Sequence, residues 1–463
     1  ATVFAAALFG TATADLLDDA ESAVTASASD IEDVYSEYLD GSRTTENCEV
    51  YDACSNPPFS STTCERISDW ERSGTPFHTC TGADSSFVTF DETPNCPATN
   101  LTCDLDVSYT KSTVKFVADS DEESEAVQQA ACVLNDLETL WENQYSDVLD
   151  LDTYQEFIYA SVGNTGAFVQ YPGTEWGVEC PGTYDPRFRP WYSLAATGPK
   201  NVILILDTSG SMVLDDRIDL AKEAAKKVLG TLNEYDYVGL VTFDSSATRY
   251  STRLKAFTAN EKCLLEQYID DLGPSGGTNF EDAFTEAFNM YDASKSAGKV
   301  AACDLSVILF LTDGEADSPL SIITARNTDN IKILSYALGD SADTDVAEEI
   351  SCATEGVAYA VDDGDDLATI MASYYNFLAA SVVTSSLEPV WLKYRIFNTG
   401  GWVVSTCMSA FLTVDGVQHL YGVTCLDLDE DHVEGEVGST AIEARLTASE
   451  SYCPTYSSPS AST

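Results

Sequence analysis

Basic side chains are scarce in this 463-residue chain, where 23 Lys and Arg stand against 76 Asp and Glu for a formal net charge of −53. Phosphate binding needs a basic surface, so nucleic acid is excluded as a natural partner. Histidine is scarcer still, with 3 residues, and no C-x-x-C pair occurs, so a zinc site is not expected. His78, His419 and His432 lie near no G-x-S-x-G or C-G-x-C sequence, and no nucleophile–base pair is apparent. The chain therefore does not read as an enzyme. Long apolar runs are missing beyond the N-terminus, so no transmembrane helix is expected.

The chain is long enough for two or three domains, and 44% apolar content marks it as globular. Its acidity reads first as solvated faces, including the runs 362–366 and 427–431. The sharper alternative is a counter-ion cloud that raises local Ca²⁺. The 14 cysteines are irregularly spaced and read as disulfides made in an oxidising compartment. Cys263 with Cys303 is a plausible pair. Asn100-Leu101-Thr102 is a glycosylation sequon. Residues 1–14 resemble the apolar part and small-residue end of a signal peptide, the alternative being an ordinary apolar helix. Together these place the chain outside the cell or on its surface. Residues 451–463, rich in Ser, Pro and Thr, read as a linker.

The strongest chemical signal is Asp207-Thr208-Ser209-Gly210-Ser211, which follows the apolar run 202–206. Such a run reads as a buried parallel strand, and ligands bind open α/β sheets at the carboxyl ends of strands. Gly276-Gly277-Thr278-Asn279 precedes a helical segment at 281–291, and the apolar run 305–311 ends in Thr312-Asp313-Gly314. Three strand-end loops thus offer Asp207, Ser209, Ser211, Thr278 and Asp313. Oxygen donors alone suit Mg²⁺ or Ca²⁺. Both ions take six or more oxygens, which leaves at least one position for water or a partner's carboxylate. Helical spacing over 217–232, strands at 237–243, 331–338 and 357–361, and a helix at 345–353 complete an alternating doubly wound α/β pattern.

DTSGSM, GGTN and LTDG, in that order on such a sheet, resemble the von Willebrand factor A domain, and the five residues match that family's metal-ion-dependent adhesion site. The resemblance widens in QEFIYASVGNTGAFVQYPG, YDPRFRPWYSLAATGPKNVILILDTSGSM, EPVW and GVTCLDL. From about residue 107 to about 431 these are similar to the alpha-2-delta auxiliary subunits of voltage-gated calcium channels. In that family an A domain is inserted into a Cache domain. The fold this implies is an α/β doubly wound domain (199–380) inserted into an α+β, PAS-like Cache domain (107–198 and 381–450). Ahead of it lie a helix and a Cys-rich module (15–106). Within that frame the flanking segments predict helices at 14–39 and 121–147, a β-hairpin at 157–162 and 167–171, and strands at 401–405, 408–414 and 421–428.

Amino-acid-binding Cache domains resemble one another in a Tyr…Arg-x-Trp-Tyr…Tyr…Asp pattern, and Tyr184, Arg189, Trp191, Tyr192, Tyr394 and Asp427 stand in that order here. Arg189 suits a ligand carboxylate, Asp427 an ammonium, and the aromatics the walls. The alternative is a structural joint. The function expected is adhesion through one Mg²⁺ or Ca²⁺ ion whose shell a partner's Asp or Glu completes, in a protein accessory to a membrane channel or receptor. A structural cell-surface or matrix protein and an amino-acid sensor are the alternatives.

Overall fold

In a computed structural model the chain is described at residues 16–42, 107–108, 112–116, 124–144 and 156–174 apart from 164. It is described again at 185–395 apart from 304, 315, 340, 341, 343 and 373, and at 402–456 apart from 415 and 416. The leader-like segment 1–14, the Cys-rich stretch 48–103, Asn100, Tyr184 and residues 457–463 lie outside these.

The first element is the helix Leu16–Leu39. Leu17, Ala20, Val24, Ala28, Ile31 and Tyr35 are buried, and their steps of three and four residues form one apolar stripe. A second helix, Glu125–Gln144, packs beside it through Val127, Ala130, Leu134 and Trp141. The Trp141 indole donates to Ser27 Oγ (3.0 Å), and that of Trp391 to Glu21 Oε1 (2.8 Å), which pins the first helix across the sheet beneath.

That sheet is drawn from both ends of the sequence. Its N-terminal strands are β2 (Thr113–Lys115), β3 (Phe157–Val162) and β4 (Ala167–Tyr171), while β1 (Val107–Ser108) and β5 (Gly173–Thr174) form a separate two-stranded pair. Seven further strands belong to a mainly parallel sheet: β6 (Asn201–Asp207), β7 (Tyr237–Phe243), β8 (Ala247–Arg249), β9 (Lys255–Ala256), β10 (Ser306–Thr312), β11 (Lys332–Leu338) and β12 (Ala358–Val361), of which β8 and β9 pair antiparallel with β7. The chain then returns to the first sheet with β13 (Val390–Arg395), β14 (Trp402–Val414) and β15 (Val417–Asp429). Among the described residues the antiparallel sheet runs β13-β14-β15-β3-β4-β2, and the other β12-β11-β10-β6-β7-β8 with β9 on β7.

Period-two alternation lets each strand serve two cores. On β3, Ile158 and Ala160 face the long helices, whereas Phe157 and Tyr159 join a cluster shared with the parallel sheet. On β6, Val202, Leu204 and Leu206 enter the shared cluster and Ile203 and Ile205 the opposite face. Helices Arg217–Gly230 and Phe280–Ser296 cover these faces. β6 leads to β7 on one side while β10 lies on the other, so the strand order reverses at β6 and opens a crevice at its carboxyl end.

Three expectations are corrected. Cys303 pairs with Cys453, their Cα atoms 5.4 Å apart, while Cys263 is disulfide-bonded elsewhere and Cys352 is free and exposed. The strands expected at 401–405 and 408–414 are one, because Cys407 in the gap pairs with Cys425 across the ladder and is buried. The part of the expected linker at 452–456 is held to the fold: Val383 N–H donates to Thr455 O (2.7 Å) and Tyr452 Oη to Ser386 O (2.7 Å). Helices Glu430–Val437 and Ser439–Ser451, which the sequence reading did not assign, precede that strap.

Candidate functional site

β6 and β10 pair in parallel with Leu206 opposite Leu311, so Asp207 and Thr312 end the two strands side by side. Thr312 Oγ1 donates to Asp207 Oδ2 (2.6 Å), and the Ser209 N–H caps Oδ1 (2.7 Å). Asp207 and Ser209 are buried, Ser211 is half-buried, and Asp313 is 9% exposed. The Ser209 and Ser211 hydroxyls lie 3.0 Å apart, and Ser211 Oγ donates to Asp313 Oδ1 (2.7 Å). The third loop is laced to the first by Ser275 N–H to Thr208 O (2.7 Å) and Gly210 N–H to Gly276 O (3.2 Å). It delivers Thr278 to Gly314. A Cβ on Gly314 would lie 3.1 Å from Thr278 Oγ1 and 3.8 Å from Asp207 Oδ2, so a side chain there would crowd both. All five sequence-predicted residues therefore surround one place.

Burial pushes the Asp207 carboxyl above its ordinary range; Thr312 and Ser209 oppose this through hydrogen bonds, and Asp313 adds repulsion. Among the described residues no three His, Cys, Asp or Glu side chains form a metal cluster. Two carboxylates and three hydroxyls are a hard, oxygen-only donor set of low charge, which fits Mg²⁺ or Ca²⁺.

Sequence reasoning missed the residues that set this geometry. Arg217, the first residue of its helix and 7% exposed, donates from Nη1 to Asp313 Oδ2 (3.1 Å). Its Nε and Nη2 grip Asp363 at 3.0 and 2.8 Å. Hydrogen bonding to Asp363 above all raises its already high pKa. The guanidinium lies against Gly339, whose φ of +96° and lack of a side chain are both required: a Cβ there would sit 2.1 Å from Nη2. Only its position just after the DTSGSM motif signalled Arg217. Between motif and helix, Asp215 and Asp216 hold left-handed φ of 47° and 57°, and Val213 and Leu214 stand exposed beside Ser211.

With this geometry in view, comparison with known proteins decides the family of the parallel-sheet region. Residues 201–373 match the model of the von Willebrand factor type A domain. This region is a von Willebrand factor type A domain. The chain is similar to the voltage-dependent calcium channel subunit alpha-2/delta-3 of Mus musculus, 28% identical over 245 residues, or 50% of this chain and 22% of that protein. The inter-alpha-trypsin inhibitor heavy chain H2 of Homo sapiens is 26% identical over 203 residues, covering 42% of this chain and 21% of that one. The match thus spans about a fifth of the length of either relative. A solved von Willebrand factor type A protein from Catenulispora acidiphila aligns with a TM-score of 0.36 at 18% identity, covering 50% of this chain and 58% of that one.

The second predicted constellation is gathered only in part. Ser405 and Asp427 are cross-strand partners on β14 and β15, and Asp427 also faces Phe157 on β3, two residues from Tyr159. Tyr394 and Tyr159 each donate to Asp427 at 2.8 Å, their hydroxyls 2.7 Å apart, and Ser405 donates as well. The Trp191 ring packs edge-on against Tyr159 at 5.1 Å. Burial pushes the Asp427 carboxyl up to about 6 against those three hydroxyl donors. Tyr192 packs edge-on against both Trp191 (5.6 Å) and Tyr375 (5.7 Å), and Arg189 stands at the N-cap position of the helix Pro190–Thr197 without a side-chain capping hydrogen bond. Tyr159 and Ser405 were not foreseen, since only the strand register reveals them.

Proposed function

We propose that the chain is a divalent-cation-dependent adhesion protein. Asp207, Ser209, Ser211, Thr278 and Asp313 hold one Mg²⁺ or Ca²⁺ ion, and an Asp or Glu of a protein partner completes its shell. The observation that carries this reading is the convergence of five oxygen side chains from three loops at the strand-order reversal. The ion supplies positive charge at a fixed place. Two carboxylates only just neutralise a divalent cation, and Asp313 is already shared with Arg217, so the ion keeps attraction for an incoming anion.

The antiparallel strands on both sides of the A domain support a Cache frame at 107–198 and 381–450 around an insertion at 199–380. Similarity to an alpha-2/delta subunit across half of the chain supports an extracellular accessory role beside a membrane channel or receptor. No described helix is long and apolar enough to cross a membrane, so in this reading the membrane is reached through the partner or through chain beyond the described residues. An amino-acid ligand at Trp191 and Asp427 is the second reading; the gathered aromatic and acidic groups favour it, though a ligand ammonium must displace hydroxyls already on Asp427.

The test is binding of the purified chain to its native cell surface with Mg²⁺ or Ca²⁺, with chelator, and as Asp207→Ala. Adhesion predicts binding that chelator and the substitution each abolish. Binding indifferent to both would refute it.

A further inference from the structure

The centre offers two carboxylates, and the choice between Mg²⁺ and Ca²⁺ turns on how they bind. Ca²⁺ takes six to eight oxygens at about 2.3–2.6 Å and readily accepts both oxygens of one carboxylate; Mg²⁺ demands six at about 2.0–2.1 Å in an octahedron. One feature of this chain bears on that choice, the outer oxygen of Asp313. Oδ1 faces Ser211 at 2.7 Å, on the side of the donor cluster, while Oδ2 faces the Arg217 guanidinium at 3.1 Å. An ion that used both oxygens of Asp313 would have to approach a buried, permanent cation. Arg217 cannot readily swing away, because Asp363 holds it by two hydrogen bonds and Gly339 lies against its face.

We infer that Arg217 determines which cation the centre takes: by occupying the outer oxygen of Asp313 it restricts that carboxylate to one ligand atom and favours Mg²⁺ over Ca²⁺. This rests on the five-residue centre proposed above. Arg217 touches no ion in this account and acts through Asp313, as a positioning residue.

Calorimetric titration with MgCl₂ and with CaCl₂ tests it on the whole chain, taking only the binding lost in Asp207→Ala, so that ions held by the acidic surface do not count. Wild type is expected to bind Mg²⁺ at least as tightly as Ca²⁺, although Mg²⁺ sheds its waters reluctantly. Arg217→Gln is expected to move the Ca²⁺/Mg²⁺ affinity ratio toward Ca²⁺ by about tenfold. Arg217→Lys, which keeps the charge but loses the planar fork, should move it less. Ca²⁺ binding tenfold tighter than Mg²⁺ in wild type overturns the inference without any Arg217 variant, as does an Arg217→Gln protein in which both affinities change equally. Absence of any Asp207-dependent binding would instead overturn the metal centre itself.

Discussion

The two ends of the parallel sheet bury the same kind of charge and treat it in opposite ways. At the amino end, Asp236 accepts from the Lys200 N–H (2.9 Å), Lys200 Nζ (3.2 Å), the Asn233 N–H (3.0 Å) and Asn233 Nδ2 (2.9 Å). Both ionic side chains are fully buried. The Cys303–Cys453 disulfide lies close by in the fold, and Tyr456 Oη donates to Thr197 O where the chain enters the domain (2.5 Å). At the carboxyl end, Asp207 and Asp313 lie against hydroxyls whose protons can turn away to admit a cation, with Arg217 held to the outer oxygen of Asp313 alone, and the neighbouring loop carries left-handed aspartates. A buried carboxylate with its own cation and amide donors is architecture. In the proposed function, a carboxylate left among rotatable hydroxyls at a strand end, as Asp207 is, serves as a receptor for the ion.

The comparison breaks first at Lys200. Burial pulls Lys200 down and Asp236 up in pKa, and their pairing opposes both shifts. Lys200→Met leaves Asp236 without its cation and should cost about 3–5 kcal/mol in chemical denaturation. A loss under about 1 kcal/mol would mean that the amino end is not sealed by this pair.

Asp427 provides an intermediate case, buried and satisfied by hydroxyls alone. Its pKa, raised from 3.8 to about 6 by burial, means that the folded state holds the proton more firmly than the unfolded chain. That contribution to stability is full below about pH 4 and is lost as pH rises through about 6. Asp427→Asn removes the dependence, so denaturation at stepped pH should show the variant gaining on wild type by up to about 3 kcal/mol across that window. A difference that does not change with pH would show that Asp427 titrates normally.

The five parallel strands were legible in the sequence because each is a short apolar run closed by a turn, and helix 217–230 followed its apolar spacing to within two residues, whereas the short polar strands β8 and β9 were not. Of the five residues proposed as donors, Asp207, Ser209, Ser211 and Asp313 were legible for the same reason, as they follow the ends of those runs, whereas Thr278 stands in a loop between the helices Ala259–Asp270 and Phe280–Ser296. What escaped was non-local. Cys303 and Cys453 are 150 residues apart, and no spacing rule connects them. Arg217 meets Asp363 across 146 residues, and its guanidinium lies against a bare glycine just past the end of β11. The long strand β14 was divided in the reading because Thr406 and Cys407 interrupt its apolar pattern, although both are buried. Tyr159 and Ser405 join Asp427 through cross-strand register, which periodicity alone does not fix.

The smallest effect expected without metal carries the central claim when metal is added. In chelator, Asp207→Asn should leave stability within about 1 kcal/mol of wild type, because removing a buried charge relieves its desolvation. Thermal unfolding of wild type and Asp207→Asn, each with and without saturating Mg²⁺, is the most direct measurement. A site filled to about a hundred times its dissociation constant contributes about 2.7 kcal/mol, so wild type should gain about 5–10 °C in Tm and the variant none. Equal gains in both proteins, or none in either, would contradict the account.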